Sequence, residues 1–169
     1  MANNPSAKRH IYQTIGYLIE AAAAALLYGF FSLLPVDAAS RLGGWIGRCV
    51  GPRLSYQRRA TKSLKRAFPE YSPNQILKIT IDMWDNFGRV LAELPHLETI
   101  INNRLEILNE EHIISVKPEG NPCIFLSGHF ANWEILPPAA QKAGVGSAQV
   151  YRAANNHFVD GMLRKIRKL

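Results

Sequence analysis

Residues 127–134 read SGHFANWE. His129 follows a glycine at the end of an apolar run, and Glu134 comes five positions later. A carboxylate on one imidazole nitrogen fixes the tautomer and stabilises the imidazolium. The other nitrogen is then free to act as a general base on a hydroxyl, which attacks an ester or thioester carbonyl. The spacing alone favours a structural histidine in a turn, because many chains contain such a pair by chance; a position just beyond a buried strand brings the two readings level. The pair is not the i,i+4 His-His arrangement of a zinc protease, and no nucleophile elbow G-x-S-x-G is present. Neither a metal nor a cofactor is called for. Gly128, just before the histidine, permits close approach of a substrate or an unusual backbone angle.

What would position such a pair is a strand–loop–helix unit. CIFLS (123–127) is a short continuous apolar run, the pattern of a buried parallel strand. NWEILPPAAQKAG (132–144) can form a helix that Pro137 and Pro138 must kink or delay. SAQVY (147–151) reads as a second strand. Strand, crossover helix and strand make a βαβ unit, so the expected fold is α/β with a partial parallel sheet. His129 then lies beyond the carboxyl end of a strand, where open α/β sheets hold their ligands. A strand is also expected over 112–116, and PEGNP (118–122) reads as a turn.

Upstream the chain is organised for a membrane and for helices. Residues 11–34 carry Glu20 as their sole charge and end at Pro35. As a helix they would run about 36 Å, long enough for a bilayer core. A bilayer span, an interfacial anchor and a buried soluble helix all fit, with Glu20 as the obstacle to the first. Residues 1–35 are therefore expected to be an N-terminal membrane anchor and 36–169 the main domain. Residues 41–69 hold eight Arg and Lys with no acid, interleaved with Trp45, Ile46, Leu54 and Leu64, and Asp37 can cap a helix there. This belt suits anionic head groups. In 72–97, Ser72, Pro73 and Gln75 form a helix start with a capping box. Ile76, Ile79, Met83, Trp84, Phe87, Val90, Leu91 and Leu94 then recur at helical spacing, as a core face does.

The 169 residues suit one domain, and 47% hydrophobic content excludes a disordered chain. The net charge of +7 points to anionic lipid, nucleic acid or an acidic partner. Nucleic acid is disfavoured, since no helix-turn-helix, RNP or zinc-finger pattern occurs. The two cysteines, Cys49 and Cys123, have no disulfide-framework or zinc spacing and read as reduced, buried thiols.

GHFANWE resembles the signature of the lipid A biosynthesis lauroyl/myristoyl acyltransferases, within the wider glycerolipid acyltransferase group with its H-x4-D/E motif. SLKRAFPEYSPNQI (63–76), MWDNFGRVLAELP (83–95) and VYRAANNHFVD (150–160) are similar to further family segments, so the resemblance covers nearly the whole chain. It implies transfer of a fatty acyl chain from acyl carrier protein to a hydroxyl of a lipid A precursor. The site would be on the cytoplasmic face of the bacterial inner membrane, without metal, cofactor or acyl-enzyme. It casts His129 as the base and Glu134 as its orienting carboxylate. Arg152 would face a phosphate or the oxyanion, while Asn132 and Trp133 shape the loop. Members of the family are longer than this chain, which raises a second expectation: a catalytically inactive remnant that binds anionic membrane or carrier protein.

Overall fold

A computed structural model of the chain describes residues 5–115, 124–146 and 148–167, with the side chains of the first helix described from Tyr12 onward. Eight α-helices occur among the described residues: α1 Pro5–Ser32, α2 Val36–Val50, α3 Tyr56–Ala67, α4 Pro73–Glu93, α5 Leu97–Asn103, α6 Glu110–Ile114, α7 Leu136–Lys142 and α8 His157–Ile166.

The centre is the crossing of α2 with α4, by far the most extensive helix pair. Gly43, Gly47 and Gly51 repeat every fourth residue on one face of α2 and its end, opposite Trp84, Gly88 and Ala92 on α4. A Cβ at Gly47 would collide with the Trp84 carbonyl, and one at Gly88 with the carbonyl of Gly43. Small residues at such spacing let helix backbones touch, and dispersion over that close contact holds the pair. Asp85 sits beside the seam and is paired with Arg89 at 2.6 Å and with Arg48 of α2, while Arg89 also donates to Ser40 at 3.2 Å. These pairs are partly exposed and add little beyond orientation.

The helix α4 begins as its sequence demands. Ser72 caps it, with the reciprocal Gln75 contact of a capping box, and Pro73 stands in the first turn. Its buried residues, Ile76, Thr80, Trp84, Val90 and Ala92, differ in part from the expected core face: Met83, Phe87 and Leu91 are exposed. The glycine seam sets the rotation of the helix so that Gly88 and Ala92, with Trp84 over Gly51, face α2 and its end, while Met83, Phe87 and Leu91 turn away. A buried polar chain ties α3 on: Trp84 Nε1 donates to Gln57 Oε1 at 2.6 Å, and Gln57 Nε2 donates to Thr80 Oγ1 at 2.9 Å. The basic belt thus forms two helices, α2 and α3, broken at Gly51–Arg53 where Pro52 ends the first. Asp37 does not cap α2: Pro35 holds that position, and Asp37 pairs with Arg104 after α5.

The helix α1 packs one stripe on this body. Tyr17, Ala21, Ala24, Tyr28 and Phe31, at alternating spacings of four and three, are its more covered residues. Phe31 joins Ala39 and Ala92 in one core cluster, with Leu34, Leu42 and Ile46 against it. Tyr28 packs on a second cluster of Leu94, Leu97, Ile101 and Ile166. His96 Nε2 donates to the Phe31 carbonyl at 3.0 Å.

The α/β expectation is overturned: no strand exists among the described residues. An apolar run becomes a strand only if a neighbour takes its backbone N–H and C=O groups. Residues 124–127 and 148–151 make no backbone ladder with each other or with any described segment, and Ile124, Leu126 and Val150 are exposed. A buried-strand pattern cannot supply that partner. Of the strand expected at 112–116, residues 112–114 belong instead to the short helix α6, with Glu110 and Glu111 in its first turn, where the helix dipole favours acids, and Val116 lies outside the described residues. The expected turn at 118–122 and the residues Cys123 and Ser147 lie outside the described residues.

Gly88→Val should overpack the α2–α4 seam and lower stability by about 1–3 kcal/mol or more. Gly161→Ala in α8, where a Cβ meets nothing within 4 Å, should be neutral or stabilising by up to ~1 kcal/mol. Urea unfolding midpoints of the two variants check the contrast. Equal midpoints would remove the seam from the centre of the fold.

Candidate active site

The motif loop is clamped onto the outer side of α4. Asn86 Nδ2 donates to the Ala131 carbonyl at 3.0 Å, and Asn132 Nδ2 donates to Glu93 Oε2 at 2.7 Å. Between these two anchors the Trp133 ring stacks on Phe87, centroids 6.2 Å apart. The clamp holds Ala131 at a φ of 45°, in the left-handed region that L-residues with a Cβ avoid. That turn, between His129 and Glu134, lets the His129 ring meet Trp133.

After the turn the chain enters a helix. Asn132 Oδ1 accepts from the Glu134 backbone N–H at 3.1 Å, capping the 3₁₀ turn Trp133–Ile135 that leads into α7. The two prolines fall in the first turn of α7, where missing N–H groups do no harm. Both the helix and its proline-delayed start match the sequence reading. Glu134 therefore lies at a helix entry, as expected.

His129 is exposed, and its ring meets Trp133 edge to face at 4.8 Å between centroids. The expected hydrogen bond from His129 to Glu134 is not formed. Glu134 instead accepts two bonds from Arg167 after α8, at 2.7 and 2.8 Å, and one from Trp133 Nε1 at 3.1 Å. The Arg167 guanidinium holds the Glu134 carboxyl below the usual carboxylate range, against the effect of burial. The Trp133 N–H and the nearby charge of His129 act in the same direction. So His129 stands within the field of Glu134 while the carboxylate oxygens are held by others. Gly128 adopts no left-handed conformation, so the unusual backbone angle allowed for it is absent. Arg152 is exposed, with its guanidinium 3.5 Å from Asn155 Oδ1.

Arg167, Asn86 and Glu93 are the residues that sequence reasoning passed over. Asn86 and Glu93 lie seven apart, on one side of α4 with Val90 between them. Two polar groups bracketing a residue of the core were the available signal. Nothing local marked Arg167, since its partner is 33 positions away. No group of three or more His, Cys, Asp or Glu side chains suited to a metal ion occurs among the described residues.

The family model for bacterial lipid A biosynthesis acyltransferases matches residues 6–169, and the chain belongs to that family. Comparison with curated proteins and with solved structures finds no match.

The pairing of Glu134 has a pH signature. Its folded-state pKa is depressed, so its contribution is present above the unfolded carboxylate value and is lost as pH falls through the folded value. Arg167→Gln should cost about 1–3 kcal/mol at neutral pH by leaving a half-buried carboxylate without its charged partner. The gap to the parent protein should narrow as the pH falls below the ordinary carboxylate range. Denaturant unfolding at pH 7 and at pH 3.5 reads it, and a constant gap would detach the effect from Glu134.

Proposed function

We propose that the protein transfers a fatty acyl chain from acyl carrier protein to a hydroxyl of a lipid A precursor, at the cytoplasmic face of the bacterial inner membrane. His129 accepts the proton of the acceptor hydroxyl through an imidazole nitrogen. The oxygen attacks the thioester carbonyl, and a tetrahedral oxyanion forms. The new carbon–oxygen bond is formed in that attack; collapse of the oxyanion restores the carbonyl, breaks the carbon–sulfur bond and leaves the ester. The pantetheine thiolate leaves and takes the proton back from the imidazolium.

Glu134 supports the imidazolium through its charge. Arg167 and Trp133 fix that charge in place, and Asn132 fixes the backbone that carries it. Arg152 is left free enough to meet a phosphate of the acceptor or the developing oxyanion. The basic side chains of α2 and α3 suit the phosphates of the lipid and the acidic surface of the carrier. The observation that carries the reading is the family match over residues 6–169, with its histidine and glutamate on a loop anchored at both sides to α4.

A second reading, a catalytically inactive protein that binds anionic membrane or carrier protein, is favoured by one observation. Glu134 is committed to Arg167, with no hydrogen bond to His129.

The test is acyl transfer from labelled acyl carrier protein to a lipid A precursor, in membranes carrying the protein. His129→Ala should lower turnover by about 10²–10⁴-fold, the usual worth of a positioned base. Membrane binding should be unchanged. Transfer that survives in the variant removes His129 from the chemistry. No transfer by the folded parent protein favours the second reading.

A further inference from the structure

The helix α1 contains the one candidate membrane span among the described residues, Tyr12–Ser32, long and apolar enough by itself to cross a bilayer. Its packing argues for a different placement. The loop and first turn of α8 dock midway along it: Asn156 Nδ2 donates to the Tyr17 carbonyl at 2.8 Å and to Glu20 Oε2 at 3.0 Å. His157 meets the Tyr17 ring edge to face at 6.0 Å. Further on, His96 holds the Phe31 carbonyl. Tyr17 and Phe31 are fourteen residues apart, roughly 21 Å of helix. Much of the helix therefore travels with the body of the protein.

The consequence for a crossing helix is severe. The middle residue of Tyr12–Ser32 is Ala22, two positions from Glu20. A helix along the bilayer normal would place the Glu20–Asn156 joint within about 3 Å of the midplane. It would carry α8 there too, with the Asp160–Arg164 pair and Lys165. A charged side chain at that depth costs about 2.5–3.5 kcal/mol even on lenient insertion scales.

The other side of α1 is bare and uncharged. Tyr12, Ile15, Ile19, Leu26 and Phe30 are exposed there, with Leu26 at 75%, opposite the docked stripe. The protein carries a net charge of +7, and the substrate class of its family is a membrane lipid.

We propose that α1 lies in the plane of one leaflet, its outer stripe in the acyl-chain boundary and its docked stripe on the protein, so that the chain is monotopic. The lipid is the partner of that stripe. An in-plane helix sinks about 5–10 Å, which wets Glu20 and α8 while burying the outer side chains. The inference rests on the membrane attachment in the proposed function and not on its acyl-transfer chemistry.

The experiment places a fluorophore at Ile15→Cys or Phe30→Cys, both on the outer stripe, with Cys49 and Cys123 replaced by alanine. The full chain is bound to vesicles of phosphatidylethanolamine and phosphatidylglycerol, and depth is read by quenching with lipids brominated at different chain positions. Equal, shallow depths at the two sites are expected. A span centred on Ala22 would put these two sites about 11 Å and about 12 Å from the midplane on opposite sides, and Ile19 and Leu26 within about 6 Å of it, so Ile19 and Leu26 clearly deeper than Ile15 and Phe30 would mean a span and overturn the proposal. No quenching at either site would also overturn it, since the stripe would then have a protein partner. Ile19→Cys and Leu26→Cys supply the inner positions, where the same shallow depth is expected, with circular dichroism confirming the helical fold. Because no turnover is measured, failure here leaves the acyl-transfer reading standing, and loss of transfer leaves this one standing.

Discussion

The structure depends on backbone touching backbone where α2 crosses α4. Gly43, Gly47 and Gly88 bring the two helices so close that a methyl group on any of them would meet a neighbouring carbonyl or side chain. The contact sets the rotation of α4 about its axis, and that rotation distributes everything else. One side turns Trp84 onto Gly51 and into its hydrogen bond with Gln57. The opposite side presents Asn86, Phe87 and Glu93 to the motif loop. A helix turned by one residue would keep a hydrophobic core and lose the clamp.

From the clamp, the connections run on through charge. The motif loop ends at Glu134, Glu134 is held by Arg167, and Arg167 closes the helix α8. The other end of α8 is capped by Asn156, whose side chain also grips α1. Asp160 braces that end, accepting from the Ala154 backbone and from Arg164, and its carboxyl is held below its usual range by those contacts. The candidate base and the apolar helix are thus two ends of one connected set of side chains. The position of α1 and that of the motif loop are therefore coupled through α8.

Local rules were enough wherever the decisive partners lie close in sequence. The capping box at Ser72 and Gln75, the end of α1 before Pro35, the prolines in the first turn of α7 and the entry position of Glu134 were all legible, since each needs only neighbours within a turn or two. Periodicity also named Trp84 and Val90 as core, but it ranked residues by size and so put Met83, Phe87 and Leu91 there with them. The glycine repeat at 43, 47 and 51 carried the missing information, in the residues that have no side chain to count.

The sequence by itself determined the helices of the N-terminal half, the apolar and basic character of its segments, and the histidine and glutamate at a turn before a helix. These follow from spacing, caps and charge along the chain. Only the tertiary structure decided which stripe of α1 is covered, that Glu134 pairs with Arg167, and that residues 124–127 and 148–151 form no sheet with each other. Each of those outcomes depends on a partner far along the chain. A strand, a buried carboxylate or a docked helix is specified by the group opposite it, and no local pattern names that group.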